Sequence, residues 1–184
     1  MPNAAVFGGS GKLGRRVVAH LLERGYDVRA LVHRTPIEAP IVSIRGSVDD
    51  PEAVAQAVSG CEVVVHLATT KEDPKTFFQV SLGGTFRILE ACRDNPVRQL
   101  ILFGGDAAFG IWFYPQPTPI AETHPKRAYP GYYAFSKVME ETMAEQYAIQ
   151  YDVPVTVLRS SWVFDDDDIL NHLSLLQNVD PAEP

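Results

Sequence analysis

The groups in this sequence whose type and spacing could do chemistry are Tyr133 and Lys137, four residues apart, and a glycine-rich run near the N-terminus. On a helix four residues are about one turn, so the phenol and the ammonium share a face. An ammonium beside a phenol lowers the phenol's pKa toward neutrality, and Tyr133 could then pass a proton to or from a substrate oxygen while a hydride moves. The run Gly8-Gly9-Ser10-Gly11-Lys12-Leu13-Gly14 lets the backbone turn tightly, come close to a pyrophosphate and aim helix N–H groups at it. It satisfies two spacings at once, Gly9/Gly11/Gly14 and Gly8/Gly11/Gly14. It is not a P-loop, because Lys12 follows Gly11 directly and precedes Leu13 rather than Ser or Thr.

These groups need elements to hold them. Short β-branched apolar runs at Ala4–Phe7, Val28–Val32, Ile41–Ile44, Glu62–Leu67, Gln99–Phe103 and Val155–Leu158 predict buried strands. Apolar positions repeating at three and four predict helices over Lys12–Arg24, Pro51–Ser59, Lys75–Asp94 and Tyr132–Tyr151. Such alternation requires parallel strands with right-handed crossovers, hence an α/β, doubly wound, Rossmann-type sheet. Pro115, Pro117, Pro119, Pro125 and Pro130 make the stretch before the last helix a surface loop. Residues 1–164 read as one dinucleotide-binding domain, and 165–184 as a short C-terminal segment.

Composition bounds the function. The chain has 184 residues, 46% hydrophobic and 21% charged, enough for one well-buried domain. Its 23 acids against 16 bases give a charge of −7, and no dense Lys/Arg block exists to neutralise phosphates, so nucleic acid is not an expected partner. Cys61 and Cys92 lack metal-type spacing and are too few for a disulfide framework, which suits a reducing cytoplasm. No leader and no run long enough to span a bilayer stands in the sequence, so no membrane partner is expected. Asp165 to Asp168 lead into an apolar pattern and read as helix N-terminal charge; no metal site is expected. His20, His33, His124 and His172 are scattered singly and carry no catalytic case.

An NAD-selective site usually offers the ribose a carboxylate about 20 residues beyond the glycines. From Val28 to Ile37 there is none, and the second strand runs into His33 and Arg34, donors suited to a 2′-phosphate. The expected cofactor is therefore NADP, with NAD the alternative.

Together these motifs resemble the extended short-chain dehydrogenase/reductase family, the NAD(P)-dependent epimerase/dehydratase-like kind. The likeness covers nearly the whole chain: the glycine run, Val65-His66-Leu67-Ala68, Ile88-Leu89-Glu90-Ala91, and Tyr133 with Lys137 some 120 residues after the glycines. It implies that Tyr133 is the acid/base and that Lys137 binds the cofactor ribose and tunes the phenol. Gly8, Gly9, Ser10, Gly11, Lys12, Leu13 and Gly14 would hold the pyrophosphate, with His33 and Arg34 at the adenosine end. Ser47 and Val48 would face the adenine, Leu67, Ala68 and Thr69 would line the cofactor, and Ser160, Ser161 and Val163 would pass the nicotinamide. A small-molecule alcohol or carbonyl is the implied substrate, a nucleotide sugar being one such class.

Two departures stand out. Counted back from Gly110, the position of the family's third catalytic group, a Ser or Thr, is Gly105 here, a loss worth on the order of 10²-fold if uncompensated. Asp106, Thr69 or Thr70 could stand in; equally, they are a turn aspartate and strand-end threonines. The family's C-terminal substrate lobe would also be short or absent in residues 165–184. Two readings therefore compete with an enzyme: a dinucleotide-binding sensor or scaffold without turnover, and a fragment of a longer enzyme. Members of this family often pair through the helices here at Lys75–Asp94 and Tyr132–Tyr151, which implies a homodimer.

Overall fold

The computed structural model describes residues 1–111, 113–115, 119–164 and 168–169. The expected segment 165–184, with His172, therefore lies outside the described residues except for Asp168 and Ile169.

Six strands form one parallel sheet: β1 (Asn3–Phe7), β2 (Asp27–Val32), β3 (Val42–Arg45), β4 (Val63–His66), β5 (Gln99–Phe103) and β6 (Val155–Leu158). Their spatial order is β3-β2-β1-β4-β5-β6, so the chain reverses direction across the sheet between β1 and β4. Register pairs Phe7 with Leu31 on one side and with His66 on the other. The carboxyl ends of β1, β2 and β4 thus finish level, the place where sheets of this kind generally bind ligands.

Helices cover both faces, as strand-helix alternation requires. Helix α1 (Lys12–Glu23) buries Val18 against Ala4, Val6, Val28, Ala30 and Val65. The opposite face carries α2 (Pro51–Val58), α4 (Gly83–Asp94) and α5 (Tyr132–Tyr151), whose Val54, Val58, Ile88, Leu89 and Ala144 share a core with Phe7, Leu100 and Leu102. Asp50 begins α2 by accepting the Glu52 and Ala53 N–H groups, and Pro51 at the first helical position suits its fixed φ.

An irregularity lies in the segment expected as a single helix over Lys75–Asp94. It is a short α3 (Pro74–Thr76), a π-helical stretch (Phe77–Leu82) and then α4. A π turn takes in an extra residue, and here it turns the Ser81 side chain fully inward. Its hydroxyl accepts the Thr70 N–H at 3.1 Å, while the Ser81 carbonyl accepts Thr85 Oγ1 at 2.7 Å. Periodicity alone does not betray this, because the apolar pattern continues across the break. No helix among the described residues is long and apolar enough to cross a membrane.

Candidate active site

The glycine run forms the turn between β1 and α1, and its close contacts decide between the two spacings. Gly8 has φ +81°, and a Cβ there would lie 2.7 Å from the Ala68 nitrogen at the end of β4. A Cβ on Gly14 would fall 2.1 Å from the Gly8 carbonyl oxygen, so only glycine lets α1 sit this close to the strand. Gly11 closes the turn with its N–H on the Gly8 carbonyl at 3.1 Å. A Cβ on Gly9 would first meet the movable end of Ile37. Close approach is thus demanded at Gly8 and Gly14, in the Gly8/Gly11/Gly14 spacing.

The backbone of the loop has the features that suit an anion. Gly11 precedes α1 and has no side chain to cap it, and the first turn of α1 holds no acid. The helix therefore presents its positive end and its first-turn N–H groups toward an incoming phosphate. Arg15 Nε donates to the Ser10 carbonyl at 3.0 Å and braces the loop. Lys12 is engaged with Asp168, and Leu13 lies half-buried behind it.

Around the cradle, His33 and Arg34 are exposed at the end of β2, beside β1. Ser47 is half-buried after β3, whereas the Val48 side chain is turned into the core against Gly84. Leu67 and Ala68 are half-buried where the Gly8 turn closes on β4, and Thr69 is exposed just beyond. Ser160 is half-buried, and Ser161 and Val163 are exposed after β6.

Tyr133 and Lys137 sit on the first turns of α5, above the end of β5. The backbone at Gly105 is extended, and a Cβ there would be 3.7 Å from Tyr133 Oη and 3.7 Å from the Ser160 carbonyl. The Ser/Thr position of the sequence reading therefore lies beside the phenol, with space and no hydroxyl. Asp106 N–H donates to the Ser160 carbonyl at 3.1 Å, and Ser161 Oγ donates to the Asp106 carboxylate at 2.8 Å. Asp106 thus ties the loop after β5 to the segment after β6. Thr70 is tied to Ser81, while Thr69 Oγ1 donates to the Thr70 carbonyl.

The expected electrostatics of the pair are changed by a third residue. Lys137 Nζ donates to the Phe103 carbonyl at 3.0 Å and to Glu140 Oε2 at 2.9 Å, and lies 5.6 Å from the centre of the Tyr133 ring. Burial and then the Glu140 carboxylate hold the phenol above its ordinary value, instead of the lowering expected from Lys137 alone. His66 is buried, bonded through Nε2 to Thr85 Oγ1 at 2.8 Å, and burial and then Lys137 push it down to about 3, so it is neutral.

Two residues of this site escaped sequence reasoning. Glu140 could have been found, since it lies three residues after Lys137 and so on the same helical face. Glu72 carries no such signal. It accepts the N–H groups of Tyr132 at 2.7 Å and Tyr133 at 3.3 Å, capping α5 where Gly131 has no side chain to do so. Among the described residues no group of His, Cys, Asp and Glu could hold a metal ion.

A nicotinamide dinucleotide fits these residues: a glycine cradle that a Cβ would fill, an open helix N-terminus, and a phenol at the same end of the sheet. The family model of the NAD dependent epimerase/dehydratase family matches residues 4–165. The L-arabinose 1-dehydrogenase (NAD(P)(+)) of Haloferax volcanii is 26% identical over 97% of this chain and 74% of its own. A 4-hydroxy-2-methyl-3-oxo-4-farnesyl-3,4-dihydroquinoline-1-oxide ketoreductase of Stigmatella aurantiaca is 28% identical over 89% of this chain and 51% of its own. A short-chain dehydrogenase/reductase superfamily protein from Agrobacterium tumefaciens, solved with bound NAD, superposes with a TM-score of 0.81 at 25% identity, over 99% of this chain and 64% of that one. The chain thus spans between about half and three quarters of the length of these proteins.

Proposed function

Because the chain belongs to the NAD dependent epimerase/dehydratase family, we propose that it is an oxidoreductase or epimerase/dehydratase-like enzyme acting on an alcohol or carbonyl carbon of a small molecule, a nucleotide sugar being one such substrate. The observation that carries this reading is that the Gly8 turn follows β1 while the Tyr133 phenol lies beside Gly105, which follows β5, so that both stand at the carboxyl end of one sheet. Residues 1–164 act as the dinucleotide-binding domain. The backbone of Gly8 to Gly14 holds the pyrophosphate, and Leu67, Ala68, Thr69, Ser160, Ser161 and Val163 flank the rest of the cofactor. The bound nicotinamide supplies or accepts the hydride. Tyr133 gives the substrate oxygen a proton or takes it back, and Lys137 holds the ribose.

NADP is the proposed cofactor, since the end of β2 offers exposed His33 and Arg34 and no carboxylate between Val28 and Ile37. Calorimetric titration of NADPH and NADH in parallel tests it. Tighter NADPH binding that is weakened in Arg34→Ala supports the assignment, NADH preference overturns it, and binding of neither sinks the cofactor reading.

Gly105 favours a second reading, a dinucleotide-binding sensor without turnover, because no hydroxyl stands beside Tyr133 Oη at that position. In that case Tyr133→Phe leaves its measurable behaviour unchanged, whereas an enzyme loses activity and keeps cofactor affinity. Homodimerisation through α4 and α5 is supported by Phe86 and Ile149, which are 47% and 68% exposed there. A cytoplasmic setting is supported by the two buried free thiols, Cys61 and Cys92.

A further inference from the structure

The Lys137–Glu140 pair is almost fully withdrawn from solvent, with 4% and 1% of the two side chains exposed. Taking both charges out of water is costly, and their mutual attraction does not reliably offset that cost. The cost shows on Glu140 itself: Oε1 is buried, and burial raises the carboxyl above its ordinary range, opposed chiefly by the Lys137 ammonium and less by the Ser136 hydroxyl. Stability alone therefore does not account for an acid at this position. Its geometry does point to a role, since Oε2 and the Phe103 carbonyl together fix the Lys137 ammonium beneath the phenol.

We propose that Glu140 is a positioning residue for Tyr133 and Lys137: its carboxylate anchors the ammonium under the end of β5 and cancels the lysine charge as felt at the phenol. Tyr133 consequently keeps its proton at neutral pH and serves best as a donor. The site is then set for carbonyl reduction. The substrate carbon gains a hydride from the reduced nicotinamide as its oxygen gains the Tyr133 proton, leaving an alcohol, the oxidised cofactor and a phenolate that solvent reprotonates. Alcohol oxidation, which needs the phenolate first, gains rate only as the pH rises into the alkaline range. This inference rests on the proposed acid/base role of Tyr133.

The other charged and titratable groups around the pair do not replace this effect. Glu141, next on α5, is paired with Arg159 from beyond β6 at 2.9 Å. His66 on β4 is neutral, and Asp106 and Tyr129 add to the raising of the phenol after Glu140. Glu72 is engaged with the start of α5, and Glu90 on α4 is bonded to Tyr147 and Arg93.

The test is a pH titration of the protein labelled with [ζ-¹³C]tyrosine, followed by NMR without cofactor, the Tyr133 signal being the one lost in Tyr133→Phe. Glu140→Gln is expected to lower the Tyr133 midpoint by about one pH unit, tenfold in its ionisation constant. An unchanged midpoint in folded Glu140→Gln overturns the proposal. Should that variant not fold, the double variant Lys137→Met/Glu140→Met replaces the pair with apolar side chains. A midpoint within about 0.3 units of the original supports cancellation, and a rise of about a unit overturns it. Because no cofactor or turnover is involved, failure here is separate from failure of the proposed activity. In an active preparation, Glu140→Gln should also move the pH profile of alcohol oxidation to lower pH by the same interval.

Discussion

The carboxylate of Glu72 accepts the backbone N–H of Tyr132 at 2.7 Å, although sixty residues separate them. The loop after β4 thereby caps the helix that carries Tyr133. Helix starts are usually capped by their own preceding residue, but here that residue is Gly131, at φ +145°. Removing the cap with Glu72→Ala is expected to cost about 1 kcal/mol in urea unfolding, as cap deletions generally do, and to lower turnover by loosening Tyr133. Glu72→Gln keeps an acceptor oxygen and should lose less on both measures.

Gly105 offers a gain-of-function test. Its backbone is extended, so any residue can adopt it, and the nearest atoms to an added Cβ are at 3.7 Å. Gly105→Ser should fold normally and place a hydroxyl within reach of the substrate oxygen beside Tyr133. Its kcat is expected to rise by up to about 10²-fold, the scale of one donor to a developing oxyanion. Gly105→Ala supplies the volume without the hydroxyl and should give no rise.

Three crowded glycines of the loop after β1 should differ in a set order. Gly14→Ala drives a methyl into the Gly8 carbonyl at 2.1 Å, and Gly8→Ala meets backbone at 2.7 Å from an already left-handed φ. Each should cost roughly 1–3 kcal/mol or more in urea unfolding and abolish NADPH binding by calorimetry. Gly9→Ala meets only the end of Ile37 at its tightest contact and should bind measurably.

His66 makes stability fall in acid. Its folded pKa is depressed to about 3 from an ordinary 6.5, chiefly by burial and then by Lys137. The folded state holds it neutral, while the unfolded chain takes up a proton as pH falls through about 6.5. Stability from this group is therefore complete above that value and is lost steadily between pH 6.5 and about 3, at up to roughly 1.4 kcal/mol per pH unit. Chemical unfolding of His66→Gln should show a shallower acid slope in that window than the original chain.

Much of the architecture was legible from local pattern. The six strands and α1, α2 and α5 lie within a residue or two of their apolar runs, because a strand covered on both faces reads as a short continuous apolar run and a helix buried on one face repeats at i+3 and i+4. The π turn at Phe77–Leu82 was not legible, since it arises where Ser81 turns in to meet Thr70 and Thr85, contacts outside any such period.

The same division holds for the site. The residue types and spacings of Gly8 to Gly14 and of Tyr133 with Lys137 stand in the sequence, and they are enough to raise the proposal of an anion cradle and a proton-transfer pair. Which glycines bear backbone contact, that Gly105 lies against the Tyr133 hydroxyl, that Glu72 caps α5, and that Lys137 reaches Phe103 and Glu140 were decided only in three dimensions. The physical reason is that spacing along one helix or turn is set by its own backbone geometry. Contacts between β4, β5 and α5 depend instead on strand order and on how closely the layers pack, which no single segment encodes.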